Sequence, residues 1–187
     1  MHQEFGGPRQ DSKPADVRQH GQIRRAKKEE TYQLIIQVAE RLFRHFGFEK
    51  TTVADIAREL GMSPANVYRF FRAKSDIEEA VCMDLLRRSE AEAGRIAVSG
   101  DTAAQRIRNL IGTVETTYLK QYVLDRKLYD LIEASITKKW PSRRRHVERM
   151  SSILEQIIAS GMASGEFSTG DATLAAPPHQ HRLHPVP

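Results

Sequence analysis

The sequence predicts an all-α protein, with an N-terminal three-helix unit of helix-turn-helix type followed by a C-terminal helical domain. Three observations predict it. Apolar residues recur at three- and four-residue spacing through most of the chain, with no alternating strand pattern and no repeat. Residue types that start and stop helices stand at the ends of those periodic runs. The basic excess is confined to one end: residues 1–75 hold 14 Lys and Arg against 9 Asp and Glu, and the remainder holds 15 of each.

Residues 1–28 mix Gly, Pro, Gln and charge with almost no large apolar side chains, and are read as a disordered basic arm. A helix then begins at Glu29 or Glu30, its stripe formed by Leu34, Ile35, Val38, Leu42, Phe43 and Phe46. Gly47 suits a left-handed cap at its end, with Phe48 as the hydrophobic partner of that cap. Thr52 caps a second helix over Val53–Leu60, and Asp55 stands where a capping box needs an acid. Gly61 ends it. Ser63 caps a third helix with Pro64 in its first turn, running to about Phe71. Ser75, with Glu78 three residues on, caps a fourth that carries Ile77, Val81, Leu85 and Leu86. These boundaries set the helix-turn-helix unit at residues 29–75.

The second domain spans residues 76–176. Asp101 or Thr102 caps a helix to about Leu124, and another runs from Asp125 or Lys127 to Lys139, ended by Trp140-Pro141. Ser142 caps a third with Val147, Met150, Ile153, Leu154, Ile157 and Ile158 to about Ala163. Residues 164–168 read as a turn, 171–176 as the start of one more helix, and the Pro- and His-rich residues 177–187 as a disordered tail.

Composition excludes several classes. Among 187 residues no run approaches the roughly 18 apolar residues of a membrane span. The N-terminus lacks the apolar core of a secretory signal. Cys82 is the single cysteine, which excludes an intramolecular disulfide and any CxxC site. A cytoplasmic protein without membrane contact is expected. No Ser/His/Asp arrangement, Gly-rich phosphate loop or metal-ligand cluster points to an enzyme, a cofactor or a metal. His179, His181 and His184 lie in a tail without other ligands. The basic N-terminal end points instead to a polyanion.

The stretch GMSPANVYRFFRAK (residues 61–74) carries that chemistry. A helix entering a major groove needs small or polar residues in its first turn, which Ala65 and Asn66 supply, and Asn can pair bidentately with adenine. Arg69, one turn on, can reach guanine or phosphate, and Tyr68 can offer its hydroxyl to phosphate. Thr51, Thr52, Ser63 and Lys74 can hold the flanking backbone. Phe70 and Phe71 are expected in the core of the small bundle.

The segment TTVADIARELGMSPANVYRFFRAKSDIEEAV resembles the DNA-binding region of the TetR/AcrR family of bacterial transcriptional regulators. The likeness rests on Thr52, Asp55-Ile56-Ala57, Gly61, Ser63, Tyr68, Phe71 and Lys74, and covers residues 30–81. Ala65 stands where many members have Gly. The resemblance implies a homodimer that binds a palindromic operator in double-stranded DNA, usually represses, and releases DNA when a small molecule enters the C-terminal domain. It places Thr52, Ser63, Ala65, Asn66, Tyr68, Arg69 and Lys74 at DNA-contact positions. Pocket residues do not transfer by motif, and the candidates for an unidentified effector are Tyr118, Tyr122, Leu128, Tyr129, Ile132, Trp140, Met150 and Leu154, with Glu133, Ser135 and Thr137 as polar anchors. After Gly165-Glu166-Phe167 members usually continue with two long helices that build the dimer interface, for which this sequence has no counterpart. Dimerisation is then expected through the helices around 105–124 and 142–163. The alternative is a small-molecule-binding or interaction protein whose operator binding is weakened by the missing dimer helices.

Overall fold

The apolar stripe of the first predicted helix buries Ile35, Ile36, Val38, Ala39, Leu42 and Phe43 in the computed structural model of the chain, which describes residues 14–168, the side chains of 14–19, 118 and 120–122 excepted. Leu34 and Phe46, expected in that stripe, are exposed; the buried face is turned by one position to take in Ile36 and Ala39. Seven helices and no strand form among the described residues: α1 (Pro14–Phe46), α2 (Val53–Glu59), α3 (Pro64–Tyr68), α4 (Lys74–Ala97), α5 (Ala103–Leu124), α6 (Arg126–Thr137) and α7 (Pro141–Ala163).

The first correction concerns the N-terminal arm. Residues 14–28, read as disordered, continue α1 back to Pro14, with every residue from 20 to 30 exposed. Low hydrophobicity denies this segment a packing partner but not a helix. The nucleation cost is met where α1 packs further on, and Arg, Gln, Ala, Lys and Glu propagate a helix readily. The rest of the arm, residues 1–13, and the readings at 171–176 and 177–187 lie outside the described residues.

The expected caps hold at α2 and α3. Thr52 Oγ1 accepts from the Asp55 N–H at 3.1 Å while Asp55 Oδ2 accepts from the Thr52 N–H at 2.9 Å. Ser63 Oγ accepts from the Asn66 N–H at 3.3 Å, and Gly61 makes the intervening turn at φ +63°, where a side chain would be strained. α3 stops at Tyr68, short of Phe71, because Phe70 and Phe71 both turn back to the Val67 carbonyl.

Two predicted caps are displaced. α4 begins at Lys74, not after Ser75: the Asp76 carboxylate accepts from the Ala73 N–H at 3.1 Å, leaving Ser75 inside the first turn. α7 begins at Pro141, not after Ser142, whose N–H donates to Glu79 Oε1 on α4 at 3.2 Å. At α5, Thr102 Oγ1 caps the Gln105 N–H, and the Glu166 carboxylate accepts from the Ala103 and Ala104 N–H groups. Those amides hold the Glu166 carboxyl below its usual range. Beside them Phe167 lies over Gly161, where an added Cβ would stand 2.4 Å from the ring, so glycine permits the closure.

Two apolar clusters result. The larger unites α1, α2, α3 and the first half of α4 with Leu128, Leu131 and Trp140 of the α6 region. The smaller joins Ala93 and Ala97 of α4 to Leu110 of α5 and Ile153 and Ile157 of α7. Each fully buried Leu, Ile or Phe contributes about 1.5–3 kcal/mol. α4 belongs to both clusters and packs most extensively against α7. α6 rests on α1 and α4, so the α2–α3 unit is mounted on the same core that α6 helps to close.

Candidate nucleic-acid interface

α3 has only five residues, and two large neighbours hold it. Val67 is fully buried, and Phe71 is buried with its ring stacked on Tyr32 of α1 at 4.8 Å between centroids. Phe70 is half-buried against the same cluster. With these anchors inward, Ala65, Asn66, Tyr68 and Arg69 are exposed together, Tyr68 at 50%. Small and amide side chains thus stand in the first turn, with a hydroxyl and a guanidinium one turn on. That arrangement suits a helix end against base edges flanked by phosphate contacts.

The capping residues are positioned differently from one another. Ser63 is exposed and its oxygen accepts within the chain, leaving its proton for an outside acceptor. The Thr52 hydroxyl donates to Asp55 Oδ2 at 2.6 Å, which with the Thr52 N–H lowers the Asp55 carboxyl below its usual range. Thr51, read as a backbone grip, is instead buried and donates to the Gly47 carbonyl at 2.9 Å. Its hydroxyl is used by the turn that Gly47 makes at φ +90°. Lys74 is half-buried, its ammonium held by the Glu49 carbonyl at 3.0 Å and by Glu78 at 3.5 Å. Six of the seven predicted contact positions are therefore exposed, and Lys74 is pinned beside them.

Sequence reasoning missed one feature of this surface. A groove of about 430 Å³ is lined by Arg25, Lys28, Glu29 and Tyr32 of α1 together with Arg69 and Phe70. The signal was present in the spacing of 25, 28, 29 and 32, which is one face of a helix, but it was hidden by reading the segment as disordered.

The effector candidates are not brought to one cavity. Leu128 and Trp140 are buried in the larger cluster with Ile132 against it, whereas Met150 and Leu154 pack on the smaller one. Tyr129 is half-buried, its hydroxyl 3.4 Å from Glu133 and Arg126 over its ring. Tyr118 and Tyr122 stand on α5, and their side chains are among those excepted from the description. A groove of about 790 Å³ between the α1–α2 turn and α6 is lined by none of these but by the polar candidates Glu133 and Thr137, with Phe48, Lys50, Lys127 and Asp130 beside them. Among the described residues no group of three or more His, Cys, Asp or Glu could hold a metal, and no helix is long and apolar enough to cross a membrane.

A polar network ties α6 to α1 behind the interface. Arg88 of α4 holds the buried Glu40 carboxylate at 2.6 and 3.1 Å, and Arg44 reaches both Glu40 and Asp125. Burial pushes the Glu40 carboxyl up, but the two guanidinium groups outweigh it and leave it below the usual range. Lys127 donates to the His45 carbonyl. Lys138 pairs with Glu78 at 3.1 Å and lies over the rings of Phe48 and Trp140.

Comparison with known proteins agrees with this geometry. The family model described as bacterial regulatory proteins, tetR family, matches residues 35–81, and that described as tetracyclin repressor-like, C-terminal domain, matches residues 103–177. None of the curated proteins matches the chain. Among solved structures, a transcriptional regulator of the TetR/AcrR family from Thermobifida fusca YX-ER1 is 25% identical, with 78% of each chain covered and a TM-score of 0.62. A transcriptional regulator from Cytophaga hutchinsonii ATCC 33406 is 26% identical over 74% of this chain and 70% of that one, at a TM-score of 0.60. The TetR family regulator PfmR from Thermus thermophilus, 24% identical over 75% and 77% of the two chains, shares the fold at a TM-score of 0.54.

Proposed function

The chain belongs to the tetR family of bacterial regulatory proteins and is a DNA-binding transcriptional regulator, and from that premise we propose that it is a ligand-released repressor binding a palindromic operator as a homodimer. The observation that carries the DNA side of this reading is the outward set Ala65, Asn66, Tyr68 and Arg69 on a helix anchored by Val67 and Phe71. Asn66 and Arg69 read base edges, while Thr52, Ser63, Tyr68 and Lys74 position the backbone. The protein acts in the cytoplasm, where its operator is.

A palindrome requires two copies, with recognition helices about 34–36 Å apart. Exposed Ile111, Val114, Leu119, Val123 and Leu124 on α5, and Val147 on α7, support pairing through those helices. Light scattering that reads a monomer at micromolar concentration overturns the dimer. The effector enters the C-terminal domain built from α4–α7. It must bind the DNA-free arrangement more tightly than the DNA-bound one to release the operator. Support for coupling comes from α6, which is bonded to α1 through Arg44–Asp125 and Lys127.

Mobility shift of a duplex taken from upstream of its own gene tests the reading, with a metabolite panel then screened for release. Asn66→Ala is expected to lose about 1–3 kcal/mol on the operator and little on random duplex, whereas Tyr68→Ala weakens both. Equal losses on the two duplexes for Asn66→Ala would falsify the base-reading role.

A further inference from the structure

We propose that the outer part of α1 is a second DNA-binding element, a basic helix that lies along the phosphate backbone beside the recognition helix. The inference rests on the DNA-binding reading above and adds to it a surface that the helix-turn-helix positions do not include.

Three observations carry it. The segment from Pro14 to Glu30 extends α1 by about 25 Å at 1.5 Å per residue, and its residues 20–30 are all exposed, so the core does not require them. Arg24, Arg25, Lys27 and Lys28 stand on it, and among the described residues none of the four is ion-paired. The face that carries Arg25 and Lys28 also carries Tyr32, whose ring is stacked on Phe71 just beyond α3. That contact fixes the direction of the face: it runs outward from the recognition helix, and Arg25, Lys28 and Arg69 converge on one groove.

Convergence of three cations is unfavourable in the free protein. The single carboxylate in the groove, Glu29, already accepts from the Gln33 amide at 2.9 Å. A polyanion removes the repulsion and releases its own counterions, which is the sequence-independent part of DNA affinity. Double-stranded DNA is the partner that fits, because Arg69 caps the end of the helix that reads the bases and the groove opens beside it. The basic helix thus supplies affinity and register, and α3 supplies sequence.

The test compares the full-length protein with Arg24→Gln/Arg25→Gln/Lys28→Gln and, as a charge-matched control, Arg95→Gln/Arg126→Gln/Lys139→Gln, three exposed positions away from the surfaces assigned to DNA and to pairing. Fluorescence anisotropy over a range of salt is read on the upstream duplex and on a random duplex of equal length. The α1 variant is expected to bind both duplexes at least about tenfold more weakly, with the slope of log affinity against log salt shallower by about three. The control variant is expected to match the parent protein. Circular dichroism checks that both variants keep their helices. Parent protein that binds while the α1 variant behaves like the control variant overturns the second element and leaves the helix-turn-helix reading standing. Parent protein that binds neither duplex overturns both.

Discussion

On the outer part of α1 and around α3 the cations Arg24, Arg25, Lys27, Lys28, Arg69 and Arg72 are without ion pairs among the described residues. From α4 to α7 several cations are matched: Arg88 with Glu40 and Asp84, Arg95 with Glu92, Arg126 with Asp130, Lys138 with Glu78, Arg144 with Glu148. The second region leaves something else uncovered, the five exposed apolar side chains of α5. Exposed pairs contribute little to stability, so the contrast is not about folding. It concerns what each surface lacks. Unmatched positive charge is completed by an anion brought from outside, and an uncovered apolar face by another protein surface.

The comparison breaks if the two regions are separate bodies, and a core substitution tests that with the largest expected effect. Leu131 of α6 is fully buried in the cluster that also holds Phe43, Ile56, Val67 and Phe71. Leu131→Ala is expected to cost about 2–5 kcal/mol of unfolding free energy. Because the single tryptophan, Trp140, belongs to that cluster, its fluorescence and far-ultraviolet circular dichroism should lose structure in one coincident urea transition. Two separated transitions would show that α6 and the α1–α3 unit fold independently.

What was legible in the sequence followed locality. Thr52 with Asp55, Ser63 with Pro64, and Gly61 are readable because each acts on backbone within a few residues. Ser75 and Ser142 look equally good as caps and are not, since helix starts there answer to Asp76 and to Glu79 across the interface with α4. The Glu166 cap on α5 spans more than sixty residues and has no local signature. The outward set on α3 was readable because burial of Val67 between exposed neighbours follows from helical spacing. The basic face of α1 was not, because composition was taken to decide order where continuation of a packed helix decided it. The effector candidates failed to converge for a related reason: aromatic and Met side chains at helical spacing serve a core first, and two cores share them.

A smaller effect sharpens the comparison at its DNA-binding side. Thr52→Ala removes the side-chain acceptor at the start of α2 and the hydroxyl that holds Asp55. A loss of about 1 kcal/mol, within a range of roughly 0.5–2, is expected in urea unfolding. If Thr52 also contacts phosphate, the variant should weaken operator and random duplex alike. Unchanged DNA affinity alongside the stability loss would reduce Thr52 to a cap.

The smallest expected effect belongs to the paired region, at the contact between α4 and α7. His146 Nδ1 lies 2.8 Å from Glu90 Oε1, and since a carboxylate accepts, the ring nitrogen donates. Burial lowers the His146 pKa more than the Glu90 contact raises it, with Arg143 adding to the depression. The imidazole is therefore held neutral in the fold and binds a proton more readily in the unfolded chain. Between the folded and unfolded pKa values the unfolded state holds more protons, so stability rises with pH there. The His146 contribution is present above the unfolded value of about 6.5 and is lost as pH falls through the lower folded value. Urea midpoints measured at about pH 7.5 and about pH 5.5 should fall on acidification in the parent protein and fall less in His146→Gln. An equal fall in both proteins assigns the acid sensitivity to other groups. It would also leave the His146–Glu90 contact without a part in that sensitivity.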